Sequence, residues 1–214
     1  MLTIWIVKTP KNHAVWTKHR LLKELPESLY KRANRYLEEE SAIRFLTGRL
    51  LLKRAIYLNG LPTSLLEEIH YSEYGKPSLA GHNFSISHSN GYVILAFSTK
   101  FSIGIDIEKK KSINLKLFKY LFAAPEWESI IKAENPLEKF YWFWVRKEAL
   151  LKAVGCSLKD LMQLEVFEHH GMFKDTYYYF ESFDFDADFN GIVATKEKAD
   201  FDAELIEFND LLKE

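Results

Sequence analysis

The run Gly104-Ile105-Asp106-Ile107-Glu108 offers the clearest chemistry in the chain. In an extended strand residues i and i+2 share a face, so Asp106 and Glu108 project together while Ile105 and Ile107 face the other way. Two neighbouring carboxylates repel, and one tends to keep its proton. A divalent cation relieves that repulsion, and Mg²⁺ favours one or two carboxylates together with phosphate oxygens and water. The plainer alternative is a solvated strand end that runs into Lys109-Lys110-Lys111.

A second candidate is Trp144-Val145-Arg146-Lys147-Glu148-Ala149-Leu150-Leu151-Lys152. Phe140, Trp144, Glu148 and Lys152 succeed one another at i+4 along one helical stripe. On a surface, Glu148 and Lys152 would be an ion pair worth about 0.3–0.5 kcal/mol. The turns before them, residues 140–145, are apolar all round and should be buried. That approach argues for a cleft, where both groups would have perturbed pKa values. A third candidate is Phe84-Ser85-Ile86-Ser87-His88-Ser89, with a histidine among hydroxyls at a strand end, a place where phosphate can be held. No G-x-S-x-G elbow supports a serine hydrolase. His169-His170 has no metal-ligand partners at suitable spacing and reads as exposed loop. The lone Cys156 cannot form an internal disulfide and reads as a small buried apolar residue.

The elements that must position these residues can be read coarsely. Residues 2–7 are β-rich, Pro26 opens a helical turn, and Ser41 is a plausible N-cap for a long helix over residues 42–59 that Gly60 and Pro62 end. Gly48 inside that helix points to close packing. Residues 69–72, 83–87, 92–98 and 102–108 read as strands, with a turn at Ser89-Asn90-Gly91. Pro125 opens a short helix, and Pro136 begins an apolar one that Gly155 closes. Strands follow at residues 164–168, 176–183, 191–195 and 203–207. Helices and then strands thus occur twice, which predicts an α+β fold of two similar halves, 1–105 and 106–214.

Charge divides along the same line. Residues 1–105 hold 14 Lys and Arg against 8 Glu and no Asp, a formal +6, while the remainder is −7. A basic half suits an anionic ligand. Nucleic acid is disfavoured, because the basic residues are scattered and no binding motif accompanies them. No apolar stretch approaches the roughly 18 residues of a membrane span, and residues 1–8 lack the basic lead and cleavage site of a signal peptide. A cytoplasmic location is the expectation.

Taken in order, Gly75-Lys76-Pro77, the Phe84 to Ser89 run, Gly104-Ile105-Asp106-Ile107-Glu108 and the Trp144 to Lys152 run resemble the 4′-phosphopantetheinyl transferase superfamily over about residues 74–155. The basic helix around Arg44 extends the resemblance, and the length is similar to the surfactin-synthetase-activating type, in which one chain carries two halves related by pseudo-twofold symmetry. The resemblance implies an active site in the cleft between the halves, with the coenzyme A nucleotide on the 1–105 side and the metal and catalytic helix on the 106–214 side. Asp106, Glu108 and Glu148 would hold Mg²⁺, with Mn²⁺ as the alternative. Lys152 would contact the phosphate and stabilise the leaving group, and Glu148 is the candidate general base. His88, with Ser87 beside it, would bind phosphate, the 3′-phosphate in the first place; Gly75 and Lys76 would contact the adenine nucleotide, and Arg44 and Arg32 would supply positive charge for the 3′-phosphate. The reaction would move phosphopantetheine from coenzyme A to a serine of an apo acyl or peptidyl carrier protein and release adenosine 3′,5′-bisphosphate, with the enzyme a monomer.

Two departures stand out. Relatives often carry a hydroxyl residue directly after the arginine matched by Arg44; here it is Phe45, and Thr47 two residues later points elsewhere on a helix. Glu126 sits near a family acidic position in a poorly matching segment. The competing readings are a binding module for coenzyme A or carrier proteins that does not turn over, and a metal-dependent nuclease built on Asp106, Glu108 and Lys110, whose spacing is too short for that class.

Overall fold

The structure is a computed structural model, and it describes residues 2–10 and 17–213. Strand β1 (Leu2–Lys8) is buried along most of its length because it is central: it pairs antiparallel with β5 (Tyr92–Ser98) and parallel with β11 (Phe201–Ile206). With β4 (Asn83–Ser89) these make a four-stranded sheet in the order β11-β1-β5-β4. The second sheet has five strands in the order β6-β10-β9-β8-β7, namely β6 (Ile103–Lys109), β10 (Phe189–Thr195), β9 (Thr176–Ser182), β8 (His170–Phe173) and β7 (Glu165–Val166). A two-stranded ribbon, β2 (His70–Tyr71) and β3 (Pro77–Ser78), flanks them.

Period-2 alternation sets the layers. On β1, Leu2, Ile4 and Ile6 meet Ile103, Ile105 and Ile107 of β6, so the two sheets pack face to face. Trp5 and Val7 point the other way, with Val93, Leu95 and Phe97 of β5, onto helix α3 (Glu39–Leu58). Two shorter helices, α1 (Lys18–Leu22) and α2 (Tyr30–Ala33), precede α3. On the far side, α5 (Pro136–Val154) covers β9 and β10 through Val145, Ala149 and Leu150, with α4 (Ala124–Lys132) beside it. The stack therefore runs α3, first sheet, second sheet, α5. No helix among the described residues is long and apolar enough to cross a membrane.

The mixed α+β architecture matches the expectation, and so do both ends of α5: Pro136 occupies its first turn and Gly155 closes it at φ 78°, a left-handed conformation that suits glycine. Four details differ. Helix α3 begins at Glu39 with Glu38 as its N-cap; Ser41 lies inside the first turn, where its hydroxyl serves Arg44 and Glu38 rather than the backbone. The segment with His170 is strand β8, and the imidazole stacks on Phe167 with ring centroids 4.6 Å apart instead of lying free in a loop. Cys156 is half-buried against the cavity described below. The sheets also divide the chain differently from its two charge halves, because β6 crosses residue 105 and β11 returns to pair with β1. Gly48 behaves as expected: a Cβ there would stand 3.3 Å from Ile86 of β4.

Candidate functional site

The site is built where β4, β6 and α5 meet. Gly104 makes the meeting possible, since a Cβ there would lie 2.0 Å from the Ala149 carbonyl oxygen and 2.3 Å from the Ala153 nitrogen. Without a side chain, α5 rests directly on β6. Alternation then turns Asp106 and Glu108 to the α5 side, and the i+4 stripe of α5 brings Trp144, Glu148 and Lys152 to meet them. Lys152 Nζ donates to Asp106 Oδ1 at 2.6 Å, to Ser87 Oγ at 3.0 Å and to the Ile105 carbonyl at 3.2 Å. Trp144 Nε1 donates to Glu108 Oε1 at 3.1 Å, and Phe140 stacks behind Trp144 at 5.9 Å.

Strand β4 joins the two sheets through its hydroxyls. The backbone N–H groups of Ile105, Ile107 and Lys109 donate to Ser85, Ser87 and Ser89 Oγ at 3.1, 3.4 and 3.1 Å. Serines at i, i+2 and i+4 thus stand in for a parallel strand partner. Ser87 Oγ also donates to Asp106 Oδ1 at 2.6 Å, and Ser89 Oγ to Glu108 Oε2 at 3.2 Å.

The electrostatics show a strained group of carboxylates. Burial pushes Glu148 up from 4.5 to about 7; the Asp106 and Glu108 charges add to the rise and Lys152 offsets part of it. Glu108 is raised too, by burial and by Asp106. Asp106 is 3% exposed, and its Oδ2 is buried without a hydrogen-bond partner. His88 is lowered by burial and by the Arg44 and Lys152 charges, so it is a neutral imidazole near pH 7. Among the described residues no three His, Cys, Asp or Glu side chains are drawn together as a ready metal cage. The orphaned Asp106 oxygen and the raised carboxylates nonetheless fit a divalent cation with few protein ligands, which is the preference of Mg²⁺.

Beside this group opens a cavity of about 520 Å³. Arg32, Arg44, Gly75, Lys76, His88 and Lys152 line it, so six of the predicted ligand-binding residues share one space. Their roles in it differ. Arg44 pairs with Glu40 at 2.7 Å and donates to Ser41 Oγ. The Lys76 stem packs on Gly155, while its ammonium donates to the Ala153 carbonyl at 2.7 Å and to Ser102 Oγ at 2.9 Å. It therefore caps the last turn of α5, and burial lowers it to about 8. Burial raises the Cys156 thiol, which disfavours a nucleophilic thiolate. Thr47 is fully buried and donates to the Ile43 carbonyl. Glu126 stands apart from the carboxylate group and is paired with Lys147 at 2.8 Å.

A family model described as the 4′-phosphopantetheinyl transferase superfamily matches residues 102–203. A putative 4′-phosphopantetheinyl transferase of Synechocystis sp. is 36% identical over 135 residues, covering 58% of this chain and 54% of the relative. The 4′-phosphopantetheinyl transferase Sfp of Bacillus subtilis is 33% identical over 132 residues, 59% of this chain and 58% of Sfp. The 4′-phosphopantetheinyl transferase AcpT of Salmonella typhi is 31% identical over 150 residues, 66% of this chain and 72% of AcpT. The chain belongs to the 4′-phosphopantetheinyl transferase superfamily. Its matched part spans between half and two thirds of the first two relatives. Within the superfamily match lie Asp106, Glu108, Glu148 and Lys152, whereas Arg32, Arg44, Gly75, Lys76, Ser87 and His88 precede it.

Three residues of this superfamily member are not legible as functional in the sequence. Lys147 is fully buried and donates to the Leu161 and Leu164 carbonyls, both at 2.8 Å, as well as pairing with Glu126. In sequence it is one more lysine beside a glutamate, and only the turns of Leu158–Gln163 around it reveal the role. Trp144 reads as core, although its indole N–H orients Glu108. Arg49 lines the cavity from deep within α3, and the one hint of it in the sequence is the apolar Leu50-Leu51-Leu52 that directly follows.

Proposed function

We propose that this protein transfers 4′-phosphopantetheine from coenzyme A to a serine of an apo acyl or peptidyl carrier protein. The observation that carries this reading is the convergence of Asp106, Glu108, Glu148 and Lys152 at one end of a cation-lined cavity. Membership of the superfamily, and the names of the relatives, agree with it.

In this reading the nucleotide occupies the cavity between α3 and α5, with its pyrophosphate beside Lys152 and its 3′-phosphate toward His88 and Arg44. Asp106, Glu108 and Glu148 would hold Mg²⁺, or Mn²⁺ in its place. When bound, the cation supplies positive charge against the pyrophosphate and the leaving phosphate. The carrier serine oxygen attacks the β-phosphorus, and the bond from that phosphorus to the bridging oxygen breaks. Adenosine 3′,5′-bisphosphate leaves, and the serine proton passes to the Glu148 carboxylate. Burial and the neighbouring carboxylates raise that group to about 7 in the metal-free protein, and a bound cation would favour the ionised form that accepts the proton. Lys152 is already oriented by Asp106 and Ser87, so its ammonium can neutralise the departing phosphate without rearrangement. Trp144 and Ser89 fix the Glu108 carboxylate. One chain supplies the cavity from α3 and β4 on one side and α5 on the other, which supports a monomer, and we propose the cytoplasm as its place of work.

The test follows the released nucleotide. Protein, coenzyme A, Mg²⁺ and an apo carrier are mixed, and adenosine 3′,5′-bisphosphate is measured by chromatography. Release that requires the carrier, stops in EDTA and falls about 100-fold or more in Lys152→Ala is the expected result. Tight coenzyme A binding with no nucleotide release from any carrier type would point to a binding module instead, and Mg²⁺-dependent DNA cleavage to a nuclease.

A further inference from the structure

A serine hydroxyl offers one proton and two lone pairs. On β4 that inventory separates three serines at alternate positions. Each accepts one backbone N–H of β6: Ser85 from Ile105, Ser87 from Ile107 and Ser89 from Lys109. The β6 residues just before those three N–H groups are Gly104, Asp106 and Glu108. Where that residue is a carboxylate, the serine proton goes to it, from Ser87 Oγ to Asp106 Oδ1 at 2.6 Å and from Ser89 Oγ to Glu108 Oε2 at 3.2 Å. At Ser85 the corresponding residue is Gly104, which has no side chain to receive a proton.

Ser87 has no bonding capacity left. Its lone pairs take Ile107 N–H at 3.4 Å and Lys152 Nζ at 3.0 Å, and its proton is on Asp106. A phosphate oxygen accepts hydrogen bonds, so it needs a proton that Ser87 does not have free. Among the described residues, β4 lines the cavity with Phe84, Ser85, Ile86 and His88 and not with Ser87. The carboxylates, in turn, are held selectively. Asp106 Oδ1 receives both Ser87 and Lys152, and Oδ2 receives no donor. Glu108 is held at both oxygens, Oε1 by Trp144 and Oε2 by Ser89. Two carboxylates that repel each other would otherwise turn apart about their side-chain bonds. Donors on the facing strand keep them in one orientation, as the outer partners of metal ligands do.

We infer that Ser87 and Ser89 are positioning residues that hold Asp106 and Glu108 ready for a divalent cation, and that the Ser87 side chain does not bind the phosphate that its place beside His88 suggests. The inference rests on the transferase reading above. Strand β4 thus turns His88 to the nucleotide cavity and two hydroxyls to the carboxylates.

Two titrations test this on the wild type, Ser85→Ala, Ser87→Ala, Ser89→Ala and Ser89→Thr, without a carrier so that nothing turns over. In the first, Mn²⁺ binding in the presence of coenzyme A is read from the free-ion signal by electron paramagnetic resonance. Ser87→Ala and Ser89→Ala should weaken Mn²⁺ binding about 10- to 100-fold, the usual loss when the partner of a metal ligand is removed. Ser85→Ala loses the same bond to β6 but no carboxylate contact, and should stay close to the wild type. Ser89→Thr keeps the hydroxyl and should recover most of the loss. In the second titration coenzyme A is added at Mn²⁺ concentrations that saturate each protein, and Ser87→Ala should then bind it nearly as well as the wild type. Equal weakening of Mn²⁺ in Ser85→Ala and Ser87→Ala would make the serines a purely structural link between the sheets and overturn the inference. Unchanged Mn²⁺ binding in either Ser87→Ala or Ser89→Ala would also overturn it. A loss of coenzyme A affinity of about 10-fold or more in Ser87→Ala at saturating Mn²⁺, the scale of a charge-assisted hydrogen bond, would restore Ser87 as a phosphate ligand and overturn it too. A wild type that binds coenzyme A but no Mn²⁺ would overturn the inference alone; a folded wild type that binds neither would remove the transferase reading as well. Should Ser87→Ala fail to fold, the half-buried Ser89 decides the positioning role: a loss of Mn²⁺ binding in Ser89→Ala that Ser89→Thr recovers supports it, and an unchanged affinity overturns it.

Discussion

Replacing Glu148 with glutamine should stabilise the metal-free protein while it abolishes transfer. Burial and the neighbouring Asp106 charge raise the folded-state pKa of Glu148 from 4.5 to about 7. Between those values the folded protein holds a proton that the unfolded chain has lost. The contribution of Glu148 to stability therefore falls as pH rises from about 4.5 to about 7, and above that range the full cost of the buried charge remains. At about 1.4 kcal/mol per pH unit, that cost is about 3 kcal/mol. Glutamine mimics the protonated carboxyl in shape and carries no charge to bury. Urea denaturation in EDTA at pH 5 and pH 8 measures the difference between variant and wild type at each pH, and other titrating groups largely cancel. Glu148→Gln should be nearly as stable as the wild type at pH 5 and about 2–3 kcal/mol more stable at pH 8. A difference that stays the same at both pH values, or a variant less stable at pH 8, would refute the claim that Glu148 is a strained carboxylate.

Three further substitutions probe the supports of the site. Gly104→Ala should lift α5 from β6, because the new methyl would lie 2.0 Å from the Ala149 carbonyl oxygen; urea denaturation should show a loss of about 3 kcal/mol or more, and coenzyme A binding should weaken with it. Lys147→Met strands Glu126 and takes a donor from the Leu161 and Leu164 carbonyls, and should cost about 3–5 kcal/mol, part of which Glu126→Gln in the same chain restores; a single Lys147→Met as stable as the wild type would contradict the role of the pair. Trp144→Phe removes a hydrogen bond that lowers the Glu108 pKa, so that pKa should rise further, and stability should fall by about 1–2 kcal/mol at pH 8 but little well below pH 4.5, where the carboxyl is protonated in both states, as the same denaturation extended to acid would show.

How far these features are legible in the sequence depends on whether their cause is local. Proline at the start and glycine at the end define α5 to the residue, because both act on their own backbone. Alternation and the i+4 stripe predict that Asp106 and Glu108 share a face and that Glu148 and Lys152 share a row, and the two sets meet. What lies hidden is non-local. Ser85, Ser87 and Ser89 read as company for His88, yet their hydroxyls receive the N–H groups of a strand twenty residues away in sequence. The parallel pairing of β11 with β1 joins strands from opposite ends of the chain, which no short window reveals. Strand β8 is four residues long and exists because β7 and β9 flank it. Ser41 gives a capping signal that Glu38 preempts three residues earlier. The buried positions of Lys147 and Arg49 look like ordinary surface charge until the neighbouring elements close over them.

Whether the Asp106, Glu108, Glu148 and Lys152 group transfers phosphopantetheine is decided by intact mass spectrometry of the carrier. Apo carriers of the fatty acid, polyketide, nonribosomal peptide and lysine types are incubated with the protein, coenzyme A and Mg²⁺, beside an EDTA control and Glu148→Gln. At least one carrier should gain the mass of a single phosphopantetheine group with the wild type, and none should do so in EDTA or with the folded variant. No gain on any carrier from a wild type that binds coenzyme A, or an undiminished gain with Glu148→Gln, would contradict the assignment of transfer to this group.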